Sequence, residues 1–155
     1  MRNILLTGMS GTGKSSVIGI LQERGYRAVD MDEPGWSVHD ADGHQLWCED
    51  RLQEDLTNSG ETILFVSGCA ENQGKFYSEF RHIILLSAPA EVLIERLTHR
   101  TNNPYGKRPE ERAEVLHYLE TVEPLLRGGA THEIDTTQPL EQVVEMILTL
   151  ALEEM

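Results

Sequence analysis

Residues 8–15 read Gly-Met-Ser-Gly-Thr-Gly-Lys-Ser, between an apolar run at Asn3–Thr7 and a helical pattern from Lys14 to Arg24. No other stretch limits the fold as strongly. The octapeptide satisfies G-x-x-x-x-G-K-[S/T] at every fixed position, and it leaves a strand to open a helix. Glycines let the backbone turn so that successive N–H groups converge on anionic oxygens. The helix beginning near Lys14 adds the positive end of its dipole. The loop of Gly8, Met9, Ser10, Gly11, Thr12, Gly13, Lys14, Ser15 and Ser16 is therefore expected to cradle a nucleoside triphosphate. In that reading Lys14 reaches the β- and γ-phosphates and the Ser15 hydroxyl ligates Mg²⁺.

Downstream, short apolar runs alternate with helical patterns. Tyr26–Asp30 reads as a second strand, followed by an irregular Gly- and Asp-rich stretch through Gly43. A helix is expected around His44–Thr57, with Cys48, Leu52 and Leu56 at four-residue spacing. Thr62–Val66 and Arg81–Leu86 read as third and fourth strands. A helix follows Pro89 to about Arg100, another spans Glu110–Leu126, His132–Asp135 is the last strand, and Pro139–Glu153 closes the chain. Runs such as ILFV and IILL lack polar alternation, the pattern of strands buried on both faces. Strands separated by helices imply parallel crossovers. The expected fold is α/β: a three-layer, doubly wound, five-stranded parallel sheet, with ligands beyond the carboxyl ends of the strands. A chain of 155 residues with 39% hydrophobic content suits one domain over residues 1–155.

Charge narrows the partners. Thirteen Lys and Arg stand against 26 acids, for a formal net charge of −13, the opposite of a nucleic-acid reader. Yet five of the 13 cations, Arg96, Arg100, Lys107, Arg108 and Arg112, fall within one segment. An acidic chain that gathers its cations this way has an anion to meet there. No apolar run approaches the roughly 20 residues of a membrane span. Cys48 and Cys69 lack paired or metal-ligand spacing, and the six histidines have no zinc-binding arrangement. A cytoplasmic protein acting as a monomer or homodimer is expected, without membrane or nucleic-acid partners.

With these residues in view, the chain resembles the P-loop NTPases, and among them the nucleoside monophosphate kinase and shikimate kinase-like small-molecule kinases. Asp30-Met31-Asp32 lies where shikimate- and gluconate-kinase-like enzymes carry Asp-x-Asp, and alternate residues leaving a strand point the same way. The resemblance implies that Asp30 holds the Mg²⁺ shell and Asp32 meets the acceptor hydroxyl, although the two roles can be exchanged. Ser67 and Gly68 stand at the end of the third strand, where many ATPases place an acid. The carboxylate for the metal then falls to the Asp-x-Asp pair, and Ser67 and Gly68 line the acceptor pocket. His99–Arg112 matches the family's LID (about residues 100–109), a segment whose cations close over the phosphates. This assigns Arg100 and Arg108 to catalysis beside Lys14, with Pro104 and Gly106 shaping the loop. The loop with Thr137 corresponds to one that passes beside the adenine.

The stretch of residues 33–58 is expected to form the acceptor site, with Trp36 offering a flat face and Arg51 its only cation. A nucleoside monophosphate would be under-supplied with positive charge there, which leaves room for a neutral or cationic hydroxylated acceptor. The Phe-Arg-x-x-Glu of shikimate kinases is missing, and Leu119–Glu123 stands where they place a carboxylate-binding arginine. No Asn-Lys-x-Asp motif is present to read guanine. The function expected is Mg·ATP-dependent transfer of the γ-phosphate to a small acceptor, a nucleoside monophosphate or other hydroxylated metabolite. The alternative is an ATP-binding regulator or slow ATPase with no such acceptor.

Overall fold

A computed structural model describes residues 2–60, 62–101 and 105–153. Five parallel strands form the central sheet: β1 (Ile4–Thr7), β2 (Arg27–Asp30), β5 (Leu64–Ser67), β6 (His82–Ser87) and β7 (His132–Asp135), in the order β2-β5-β1-β6-β7. The doubly wound five-stranded expectation therefore holds.

Alternation along the strands supplies both faces. Ile4 and Leu6 of β1, Phe65 of β5 and Ile84 and Leu86 of β6 meet Val17, Ile18 and Leu21 of α1 (Lys14–Glu23). Val143, Val144, Ile147 and Leu148 of α6 (Leu140–Leu152) complete that layer. On the opposite face, Leu5, Leu64, Val66 and Ile83 pack with Leu52 and Leu56 of α2 (Glu49–Asn58). Phe76, from a 3-10 segment at Gln73–Glu79, joins them. A third cluster sets Leu93 of α3 (Ala90–His99) and Leu126 of α5 (Glu123–Gly129) against Leu85 and Met9. Residues two apart on a strand share a face, so every central strand is apolar on both sides.

Three local expectations are corrected. The stretch before α2 is not irregular throughout, because β3 (Ser37–His39) and β4 (Gln45–Trp47) form an antiparallel hairpin. The helix expected from His44 starts at Glu49, so Trp47 lies on a strand. Asn72 explains the shift. Its side chain accepts from Trp47 N at 2.9 Å and donates to Trp47 O at 3.1 Å, which holds that backbone extended. Finally, the helix expected over Glu110–Leu126 divides into α4 (Pro109–Thr121) and α5. Pro124, lacking an N–H, cannot continue the α4 ladder, and Val122 caps both pieces. Among the described residues, no helix is long and apolar enough to cross a membrane.

Candidate functional site

The parallel strands all end at one edge, and the loops leaving β1, β2, β5 and β7 carry most of the sequence's candidate residues, with Arg51 on α2 and Arg100 and Arg108 beyond α3. The loop after β1 packs closely against the backbone of β6. A Cβ on Gly8 would stand 2.4 Å from Leu86 O, and Gly11 and Gly13 adopt φ of +89° and +95°. Thr12 is fully buried and donates to Met9 O at 2.9 Å. Lys14 Nζ donates back to Gly8 O at 2.7 Å and Met9 O at 2.9 Å, so the lysine lies across its own loop. Burial pushes its ammonium below the usual lysine value, while the charges of Cys69, Asp32 and Asp30 pull it upward. Ser10 is half-buried, and Ser16 is exposed.

Asp30 and Asp32 leave β2 with different partners. Ser15 Oγ donates to Asp30 Oδ2 at 2.6 Å, and the Asp32 N–H donates to Asp30 Oδ1 at 2.9 Å. Asp30 is buried, whereas Asp32 is exposed and accepts from Gln45 Nε2 at 2.7 Å. An alcohol and a carboxylate in contact form a hard-oxygen pair of the kind Mg²⁺ takes. Arg100, at the end of α3, is close enough for the charge of Asp32 to act on it, although burial lowers its own value. Lys14, Asp30, Asp32 and Arg100 are thus electrostatically linked at this edge of the sheet.

Behind the aspartates, Ser67 is fully buried and its Oγ has no partner among the described residues. A Cβ at Gly68 would meet Met31 Cβ at 3.0 Å and Trp47 Cζ2 at 3.1 Å. Burial raises the Cys69 thiol above its usual value, against the opposing pull of the Lys14 charge. Arg51 stacks over Trp36, 3.9 Å from the ring centroid, and donates to Gly35 O at 2.8 Å. These two form one unit.

Several cations of the basic segment bond backbone carbonyls within it. Arg100 donates to Tyr105 O at 2.9 Å, Lys107 to Thr98 O at 2.6 Å and to Arg100 O, and Arg112 to Lys107 O at 2.7 Å. Arg108 is exposed at the start of α4, and Glu111 accepts from the N–H groups of Gly106 and Arg108. Pro104 lies outside the described residues. The loop after β7 closes on itself, with Thr137 donating from both N and Oγ1 to Asp135 Oδ1.

Two residues here escaped the motif reading. Arg96 donates to Gly11 O at 3.1 Å and Thr136 O at 2.6 Å, which ties the phosphate loop to the β7–α6 loop. Its place in the cationic segment was the only sign of it in the sequence. Gln45 carried no sequence signal.

A family model described as an AAA domain matches residues 4–117. Shikimate kinase 2 of Yersinia enterocolitica is 30% identical over 99% of this chain and 97% of its own length. The chain belongs to that AAA-domain family, and within it to the shikimate kinase-like P-loop small-molecule kinases. A provisionally named adenylate kinase of Archaeoglobus fulgidus is 32% identical over 93% of this chain and 79% of its own. The solved shikimate kinase of Acinetobacter baumannii, in complex with shikimate, superposes with a TM-score of 0.64 at 22% identity. That pairing covers 97% of this chain and 92% of the other, and it shows the shared fold. As a small-molecule kinase of this group, the protein is ATP-dependent.

Proposed function

We propose that this kinase transfers the γ-phosphate of Mg·ATP directly to a hydroxyl of a small acceptor, without a covalent enzyme intermediate. The observation that carries the proposal is the division of labour at the end of β2. Asp30 is engaged with Ser15, while Asp32 is exposed and within electrostatic reach of Lys14 and Arg100. Gly11, Gly13 and Lys14 hold the phosphate chain. Ser15 and Asp30 hold Mg²⁺, which neutralises phosphate charge when bound. Asp32 orients the acceptor hydroxyl and takes its proton, and Arg100 and Arg108 stabilise the transferring group as residues 100–109 close. Such chemistry is mostly positioning and charge stabilisation, and this set supplies both from a single chain.

Residues 33–58 contribute the acceptor site, and its chemistry favours a neutral or cationic alcohol over a nucleoside monophosphate. Asp32 and Glu33 are acidic, and the guanidinium of Arg51 is already occupied by Trp36 and Gly35. Cys69, Leu119 and Val122 pack with Met9 and Leu126 as an apolar group. The test follows ADP release from Mg·ATP with nucleosides, amino sugars, shikimate, gluconate and nucleoside monophosphates. Release that rises with a neutral or cationic alcohol supports the reading. Release that rises only with shikimate or a monophosphate overturns the acceptor class.

A further inference from the structure

We infer that Gln45, on the β3–β4 hairpin, is the positioning residue of Asp32; this rests on the role given to Asp32 above. The hydrogen-bond directions are forced. Ser37 Oγ spends its single proton on Met31 O at 2.6 Å, so only lone pairs remain to face Gln45 Nε2 at 3.2 Å. Asp32 Oδ1, on the other side of Nε2 at 2.7 Å, likewise accepts. An amide oxygen turned toward these two acceptors would be repelled by both, so the NH₂ group occupies this position and donates twice.

The hairpin that carries the amide is well anchored. Gln45 pairs with His39, and Ser37 pairs with Trp47 two residues along. Trp47 is held at both backbone groups by Asn72, and Cys48 N donates to Trp36 O at 2.8 Å. The backbone of Asp32 is already fixed by its bond to Asp30 Oδ1. Its exposed side chain is the part left to be oriented, and Gln45 does this from a second element. Oδ1 is then committed to the amide, and Oδ2 meets the acceptor hydroxyl. The hairpin thereby couples the acceptor region to the catalytic carboxylate. Misplacing a reacting group by about 1 Å costs on the order of 100-fold in rate, so such a tether has a measurable effect.

The test pairs kinetics with a direct probe of the contact, using the whole chain. ADP release from saturating Mg·ATP with the pooled acceptors is measured for wild type, Gln45→Met, Asp32→Asn and the double variant. Methionine keeps the length of the side chain and removes both donors. Gln45→Met is expected to lower kcat by about 10- to 100-fold while KM for ATP and Tm stay near wild type. In the Asp32→Asn background the same substitution should change kcat less than about 2-fold, because coupled residues are not additive. Equal losses in both backgrounds, or a fall in Tm with a rise in KM for ATP, would make Gln45 a structural hairpin residue and overturn the inference. An Asp32→Asn variant with wild-type turnover overturns both this inference and the role of Asp32. If the pool elicits no turnover, the transfer reading fails by itself, and the pairing is judged by ¹H–¹⁵N spectra of the side-chain amides. There the Gln45 NH₂ resonance should move on Asp32→Ala and stay in place on Asp55→Ala. A resonance indifferent to Asp32 overturns the pairing.

Discussion

The Ser15 hydroxyl and the Asp30 carboxylate meet at 2.6 Å across the gap between the phosphate loop and β2. Fifteen residues apart in sequence, they join the element that binds phosphate to the one that supplies acid. If this pair holds Mg²⁺, Asp30→Ala should raise the Mg²⁺ concentration at half-maximal ATP turnover by about 10- to 100-fold, the usual cost of disturbing a metal's supporting groups. Glu and Gln variants at Asp32 should leave that midpoint near wild type. A midpoint indifferent to Asp30 would assign the metal to Asp32.

The Lys14 ammonium is expected to cost the protein stability near neutral pH. Burial lowers its folded-state value below the 10.5 of an unfolded lysine, so the unfolded chain holds the proton more tightly. That cost is fully present below the folded midpoint and disappears as pH rises through it toward the unfolded one. Lys14→Met should therefore compare best with wild type near neutral pH and lose ground as pH rises to about 10. Urea denaturation of both proteins across this range checks the sign, and a difference independent of pH would contradict it.

Gly8 tolerates no side chain. A methyl 2.4 Å from Leu86 O, a backbone atom in the middle of the core, forces the loop away from β6. Gly8→Ala should cost about 1–3 kcal/mol in urea unfolding, with ATP binding lost at temperatures where the variant is still folded. Gly19→Ala, with open space around its Cβ position, is the control and should be tolerated.

Away from the aspartates, Glu133 accepts from Arg127 at 2.8 and 3.1 Å and from Ser87 at 2.8 Å. The Arg127 guanidinium holds this carboxyl below its usual 4.5. Its contribution is present above 4.5 and lost as pH falls through the lower folded value. Because the pair is partly exposed, Glu133→Gln should cost no more than about 1 kcal/mol at neutral pH, and the difference should vanish in acid. Thermal melts at several pH values read this directly.

Much of this architecture was legible because local and global signals agreed. The phosphate loop needed glycines at fixed places, and the strands were apolar on both faces. The hairpin was not legible, since three-residue strands such as Ser37–His39 carry too little alternation. What holds Trp47 extended is Asn72, 25 residues away. Tertiary contact therefore overrode a helical pattern, and with the hairpin went any sign of Gln45. The cations of residues 96–112 were visible as a cluster, but their present use was not. Arg96, Lys107 and Arg112 meet backbone carbonyls, which no sequence pattern advertises.

The most direct test of phosphoryl transfer follows the phosphate itself. The protein is incubated with γ-labelled ATP, Mg²⁺ and the pooled acceptors, and the label is traced by chromatography, with Asp32→Asn in parallel. Label moving into a new organic phosphate, and lost in the variant, is the predicted result. Label released only as inorganic phosphate, at a rate indifferent to the pool and to Asp32, would contradict the account and leave a slow ATPase.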